Sequence, residues 1–275
     1  MDGEVAQLAA LVISANNRIA HSDDPMPWFA GQRAFDRCGS IAFHTSHKRR
    51  YGKDRRVPVA ETPGDWLDRL TESGVERVVM SCIRQDQDDD EDMIPDRLSA
   101  GFAGGGSLWS MTSETPDGGV IRWTPGWRAA YPRDPDGRIW AVEYLANPSP
   151  ATPPGVDLEE VRNTLRAALS DMNEFAQAQH FDQVAAIFGS ALCLLDGAPD
   201  PRPVPRPPGP ADTLPPPARR LLFAAQRGWT FDNMSLWRDQ DFSQDVWVRY
   251  AALSEQLYTA VTTAMVAAVN ASVPV

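Results

Sequence analysis

Three polar side chains, His44, Arg122 and Glu143, are the set in this chain best suited to a small-molecule active site. A histidine can serve as general base near neutral pH, a guanidinium holds an anionic substrate, and a carboxylate orients both. Arg122 and Glu143 fall on one face of neighbouring strand segments, together with Ser110, and would pair across the strands if the turn lengths place them opposite each other. Buried, with Ser110 and His44 nearby, that pair would orient an anionic substrate. On a solvent face it is an ordinary cross-strand ion pair. His44 and His47 stand three apart in a strand or loop, a spacing that supports a metal only on a helix with a third ligand, so no metal site is expected.

Two charge runs are the next candidates. His47 to Arg56 (HKRRYGKDRR) holds six permanent cations, and Lys48, Arg49 and Arg50 in it are suited to a phosphate or an acidic partner. Asp86 to Asp92 (DQDDDED) is the acidic counterpart, with Asp88, Asp89 and Asp90 at its centre. It is not a calcium loop. Glu91 stands at the sixth position, where the turn needs glycine, and Arg97 at the twelfth, where a bidentate glutamate is needed. The plain reading of each run is a solvated loop.

Other motifs carry less. Gly104-Gly105-Gly106-Ser107 precedes a strand rather than a helix, so it lacks the helix N-terminus that a phosphate cradle requires. Neither Ser107 nor Ser110 lies in a nucleophile elbow. Cys38, Cys82 and Cys193 are odd in number and far apart, which argues against a disulfide framework and for a reducing, cytoplasmic compartment. No cofactor is implied. Residues 229–247 (WTFDNMSLWRDQDFSQDVW) gather aromatic residues without helical period; Trp229, Phe231 and Trp237 there form a core cap or a partner-binding patch.

The elements that must position these groups follow from periodicity. Val5, Leu8, Leu11, Val12, Ala15 and Ile19 make a helical stripe. Ser40 to Thr45 is a short strand, Pro63 opens a short helix ending near Gly74, and Val75 to Ile83 is a β-branched strand. This succession predicts a β–α–β unit with two parallel strands, from whose shared carboxyl edge the basic and acidic runs would emerge side by side. Strands at 106–113, 119–125 and 138–146, separated by Asp117-Gly118-Gly119 and Asp134-Pro135-Asp136-Gly137, predict an antiparallel meander. Trp109, Met111, Ile121, Trp123, Trp140, Val142 and Tyr144 form its apolar face, which needs a helix to cover it.

Prolines divide the chain. Residues 147–155 hold four and read as a boundary between a mixed-sheet domain, 1–146, and a helical domain, 156–275. Residues 199–217 hold ten and read as an extended loop within the helical half. Stripes beginning at Leu158, Phe181, Pro217 and Val246 predict an antiparallel bundle. The fold class is therefore α+β.

The totals bound the function. With 26 Lys and Arg against 37 Asp and Glu, the net charge is −11, which opposes nucleic-acid binding. No apolar run approaches the length of a membrane span. The leading expectation is a non-catalytic, cytosolic interaction protein of inhibitor or immunity type, whose protein partner presents a basic surface. The alternative is a small-molecule enzyme using His44, Arg122 and Glu143 in a deep pocket between the polar sheet face and the helical half.

Overall fold

The computed structural model describes residues 3–21, 32–47, 55–84, 107–152, 155–231 and 242–273. It is an α+β fold built on a six-stranded mixed sheet, with most of the helices in the C-terminal half. The N-terminal elements are α1 (Gly3–Ala20), β1 (Cys38–His47), β2 (Arg55–Ala60), α2 (Pro63–Glu72), β3 (Arg77–Ile83), β4 (Leu108–Glu114), β5 (Val120–Ala129) and β6 (Trp140–Pro148). The helical half consists of α3 (Leu158–Ala178), α4 (Asp182–Asp196), α5 (Pro216–Gly228) and α6 (Gln244–Asn270).

The strand order is β2-β1-β6-β5-β4-β3. The β4–β5–β6 meander is antiparallel as its turn residues predict. Gly118 (φ 81°) and Gly137 (φ 72°) take the left-handed conformation in its two turns, where a Cβ is disfavoured. The expected β–α–β unit does not form. β1 lies parallel to β6 and antiparallel to β2, while β3 is the far edge strand, antiparallel to β4. Following the pairings across the sheet, β3 runs opposite to β1 and three strands separate them. The strand ends that lead into the basic and acidic runs, His47 of β1 and Ile83 of β3, therefore lie at opposite ends of the sheet. The physical reason is β2: it closes a hairpin on β1 and takes the place beside it that a parallel crossover would have filled.

The apolar sheet face packs as its alternation demands. Phe43 stacks on Trp66 of α2 at 4.7 Å and on Tyr144 at 5.0 Å, and Trp123 meets Trp66 edge-on at 5.7 Å. Thr62 caps α2 by accepting the amide of Asp65, and Pro63 occupies its first turn. α1 is buried continuously from Val5 to Asn17, so it has core on every side rather than a single apolar stripe. One side of α1 covers the sheet, and the other meets the helical half. Asn17 accepts from the Thr213 hydroxyl at 3.0 Å, and Gly209 packs so close to Ile13 that a Cβ there would lie 3.0 Å from it. One contiguous core thus runs from the sheet through α1 into the bundle.

The β3 edge is closed by side chains. Asn16 of α1 accepts from the Val78 amide and donates to the Val78 carbonyl, both at 2.8 Å. Asn270 of α6 does the same to Met80, at 2.6 and 2.9 Å. Each asparagine amide stands in for a strand residue, so the edge cannot template another chain there. These bonds also attach the bundle to the sheet.

Candidate functional site

The polar face of β2–β1–β6–β5 carries the site. Register places Ala42, His44 and Ser46 of β1 on one face with Glu143, Leu145 and Asn147 of β6, and with Thr124 and Gly126 of β5. Arg56 of β2, paired with Ser46, reaches the same face. On this face lies an open cavity of about 300 Å³, lined by His44, Arg56, Thr124, Gly126, Glu143 and Asn147 among others. Every lining residue comes from the sheet, so the cavity does not lie between the sheet and the helical half as expected.

Two of the three expected active-site residues meet here. His44 and Glu143 line the cavity, and Arg122 does not. Glu143 stands opposite Gly126, whereas Arg122 stands opposite Asn147, four residues away and so about 13 Å along the strand. The turn between β5 and β6 sets that register, and the pairing of Arg122 with Glu143 is corrected on this ground. Arg122 donates instead to the Ser149 hydroxyl at 3.2 Å, and its Nε is buried without a partner. Ser110 is fully buried against the Ser81 hydroxyl at 2.8 Å, and so is no part of the cavity.

Arg56 takes the place that sequence reasoning gave to Arg122. Its guanidinium donates to the Glu143 carboxylate across β1, with the side chains 61% and 35% exposed. Arg55 and Arg56 belong to β2 and not to the basic loop. Their charge, together with Pro58, obscures a strand whose Val57 and Val59 were its remaining signal. The Nδ1 of His44 is shielded from solvent and has no hydrogen-bond partner among the described residues. Lys48, Arg49 and Arg50 lie outside the described residues, as do Asp88, Asp89, Asp90 and Trp237.

The aromatic candidates that are described belong to the core. Trp229 and Phe231 are 6% and 5% exposed and pack on each other at 5.3 Å and on Tyr258 at 6.0 and 5.3 Å. They are a cap on the bundle and not a partner-binding patch, because their ring faces are already occupied.

A second polar cluster lies under α1 on the opposite sheet face. The Tyr144 hydroxyl donates to Gln7 Oε1 at 2.7 Å, and the Gln7 amide donates to Cys38 Sγ at 3.3 Å. Burial pushes the Glu4 carboxyl up to about 7. Burial likewise raises Cys38 to about 11, against the lowering effect of Gln7. Cys82 rises to about 11 through burial and the nearby Glu4 charge, against its hydrogen bond with Ser107. Thiols so raised are overwhelmingly protonated at neutral pH and are poor nucleophiles. Among the described residues, no three His, Cys, Asp or Glu side chains converge as a metal-binding set. None of the described helices is long and apolar enough to cross a membrane.

No protein-family model, curated protein or solved structure matches this chain.

Proposed function

We propose that the chain is a non-catalytic interaction protein, of inhibitor or immunity type, that binds a protein partner with a basic surface. The observation that carries this reading is the outer face of α2. Asp65, Asp68 and Glu72 are exposed there, at intervals of three and four residues, with Glu61 exposed just before the helix and Glu76 just beyond it, while Trp66, Leu67 and Leu70 hold the inner face in the core. Among the described residues two cations answer them: Arg18 bonds Asp68 at 3.2 Å and Arg69 bonds Glu72 at 3.0 Å. The helix is fixed in place by stacked aromatic rings, so the acidic face is preorganised for a rigid partner. Arg122 stands apart from His44 and Glu143, which share the sheet cavity without it, and the loss of that third member weighs against the enzyme reading. Three free cysteines suit the reducing interior of a cell.

The test is affinity capture from the lysate of the source organism, at low and at physiological salt, with the wild-type chain and a Glu61→Gln/Asp68→Asn/Glu72→Gln variant. The expected result is a stoichiometric partner of basic surface whose association rate falls at least about tenfold in the variant and steeply with salt. No partner, or one held equally well by the variant, overturns the reading.

A further inference from the structure

We propose that the cavity on the open sheet face is a binding site for a small oxyanion, a carboxylate or phosphate group that Arg56 grips and His44 and Asn147 help to hold. It lies on the opposite face of the sheet from α2 and stands or falls separately from the partner reading.

The balance of donors and acceptors carries this inference. The cavity walls offer the Arg56 guanidinium, the His44 imidazole, the Thr124 hydroxyl and the Asn147 amide, against the single carboxylate of Glu143. Arg56 has five N–H groups in a planar fork, and its one ionic partner among the described residues is Glu143. Neither Thr124 nor Asn147 has a side-chain hydrogen bond among the described residues, so both are available to a ligand. A site with surplus donors and one carboxylate already neutralised selects an anion. A cation would have to compete with Arg56 for the one carboxylate present.

Exchange is easy because the existing ion pair is weak. Arg56 is 61% exposed, and water screens a pair of that kind, so an incoming oxyanion can take its place on the guanidinium. A bidentate contact with a planar carboxylate or a phosphate would improve on the one bond that Glu143 now accepts. Size sets the ligand class: about 300 Å³ is the low end for ligand cavities, fitting a small organic acid or a phosphate ester.

The backbone is arranged for access. Gly126 lies opposite Glu143 in the middle of β5, where a strand gains nothing from glycine unless something must come close. A Cβ at Gly126 would meet only the Glu143 carbonyl, at an ordinary 3.6 Å, so packing does not demand the glycine. Its absent side chain keeps the cavity floor open.

The experiment uses the full chain and two probes, inorganic phosphate and succinate, with binding read by calorimetry and by the NMR resonance of His44, assigned with a His44→Gln variant. At least one probe is expected to bind saturably with 1:1 stoichiometry and to move the His44 signal; which one does so distinguishes the two sources of oxyanion. Arg56→Gln and Gly126→Leu are each expected to weaken binding at least about tenfold, and Gly126→Ala to leave it within about twofold. Glu143→Gln is expected to tighten it about three- to tenfold, because the competing carboxylate is gone. A Glu143 with a purely structural role would give no tightening. The absence of saturable binding by either probe overturns the inference, as does binding that survives both Arg56→Gln and Gly126→Leu.

Discussion

Replacing Asn16 by alanine tests how the two halves are joined. Asn16 is fully buried and makes three hydrogen bonds of 2.8 Å: two with the Val78 backbone and one to the Ser272 hydroxyl. Val78 is itself fully buried, in the edge strand β3, which among the described residues pairs with β4 alone. The alanine side chain leaves the Val78 N–H and C=O with neither partner nor water. Each orphaned group costs about 1–3 kcal/mol. Ser272 retains its bond to the Val269 carbonyl at 2.6 Å, so its share is small. The expected loss is roughly 3–5 kcal/mol, a large part of the ~5–15 kcal/mol available to a domain. Asn270 is only partly buried, so Asn270→Ala should cost less, about 1–3 kcal/mol.

The assay is urea denaturation, with hydrogen exchange at the Val78 amide as the local readout. A fall in midpoint at constant m-value marks a change in stability alone. Asn16→Asp is the sharper control. It keeps the acceptor for the Val78 amide but turns a carboxylate oxygen toward the Val78 carbonyl and buries a charge, so it should be at least as damaging as alanine. A loss below about 1 kcal/mol in Asn16→Ala, with the Val78 amide still protected, would refute the reasoning; the edge would then be satisfied without the asparagine.

Other perturbations follow from single residues. Burial lifts the Glu4 carboxyl from 4.5 to about 7, so the folded chain holds a proton that the unfolded chain has released in that interval. Stability therefore falls as pH rises from about 4.5 to 7 and stays lowered above it, and Glu4→Gln should recover roughly 2–3 kcal/mol at pH 8 and flatten the profile measured by thermal melts. His180 ends α3 in the left-handed region at φ 62°, where a Cβ is disfavoured, so His180→Gly should raise stability by about 0.5–1 kcal/mol in the same melts. Cys38 and Cys82, with thiols near 11, should react with iodoacetamide at pH 8 far more slowly in the folded chain than in urea, as followed by mass spectrometry.

The elements with strong local signals stand where sequence places them. α3 begins after Asp157, whose carboxylate accepts the Glu159 amide at 2.8 Å, and α4 ends at Gly197 in the left-handed conformation. The apolar alternation of β4, β5 and β6 put Trp109, Met111, Trp123, Val142 and Tyr144 into the core. What sequence could not supply was pairing. β2 reads as charge and proline: Arg55, Arg56 and Pro58 crowd a six-residue strand. Proline is tolerated there because β2 is an edge, paired with β1 alone among the described strands. Without β2, a strand, a helix and a strand in succession look like a crossover unit, and the sheet is assembled wrongly from locally correct parts.

That same omission explains why the cavity was only half legible. His44 and Glu143 could be found from alternation on β1 and β6, since each needs only its own strand to fix the face it occupies. Their cationic partner depends on a register between strands, which one-strand alternation does not encode. Arg122 and Arg56 are equally plausible by residue type. The choice between them rests on Gly126 standing opposite Glu143 and on β2 folding back along β1. The asparagines at the β3 edge were invisible for a related reason: Asn16 and Asn270 lie 254 positions apart in helices that look self-sufficient, and only the unpaired backbone of a third element gives them work. Polar residues buried in an otherwise apolar helix, such as Gln7, Asn16 and Asn17 in α1, are the one trace of such work that sequence retains, because a buried amide persists only where something needs its hydrogen bonds.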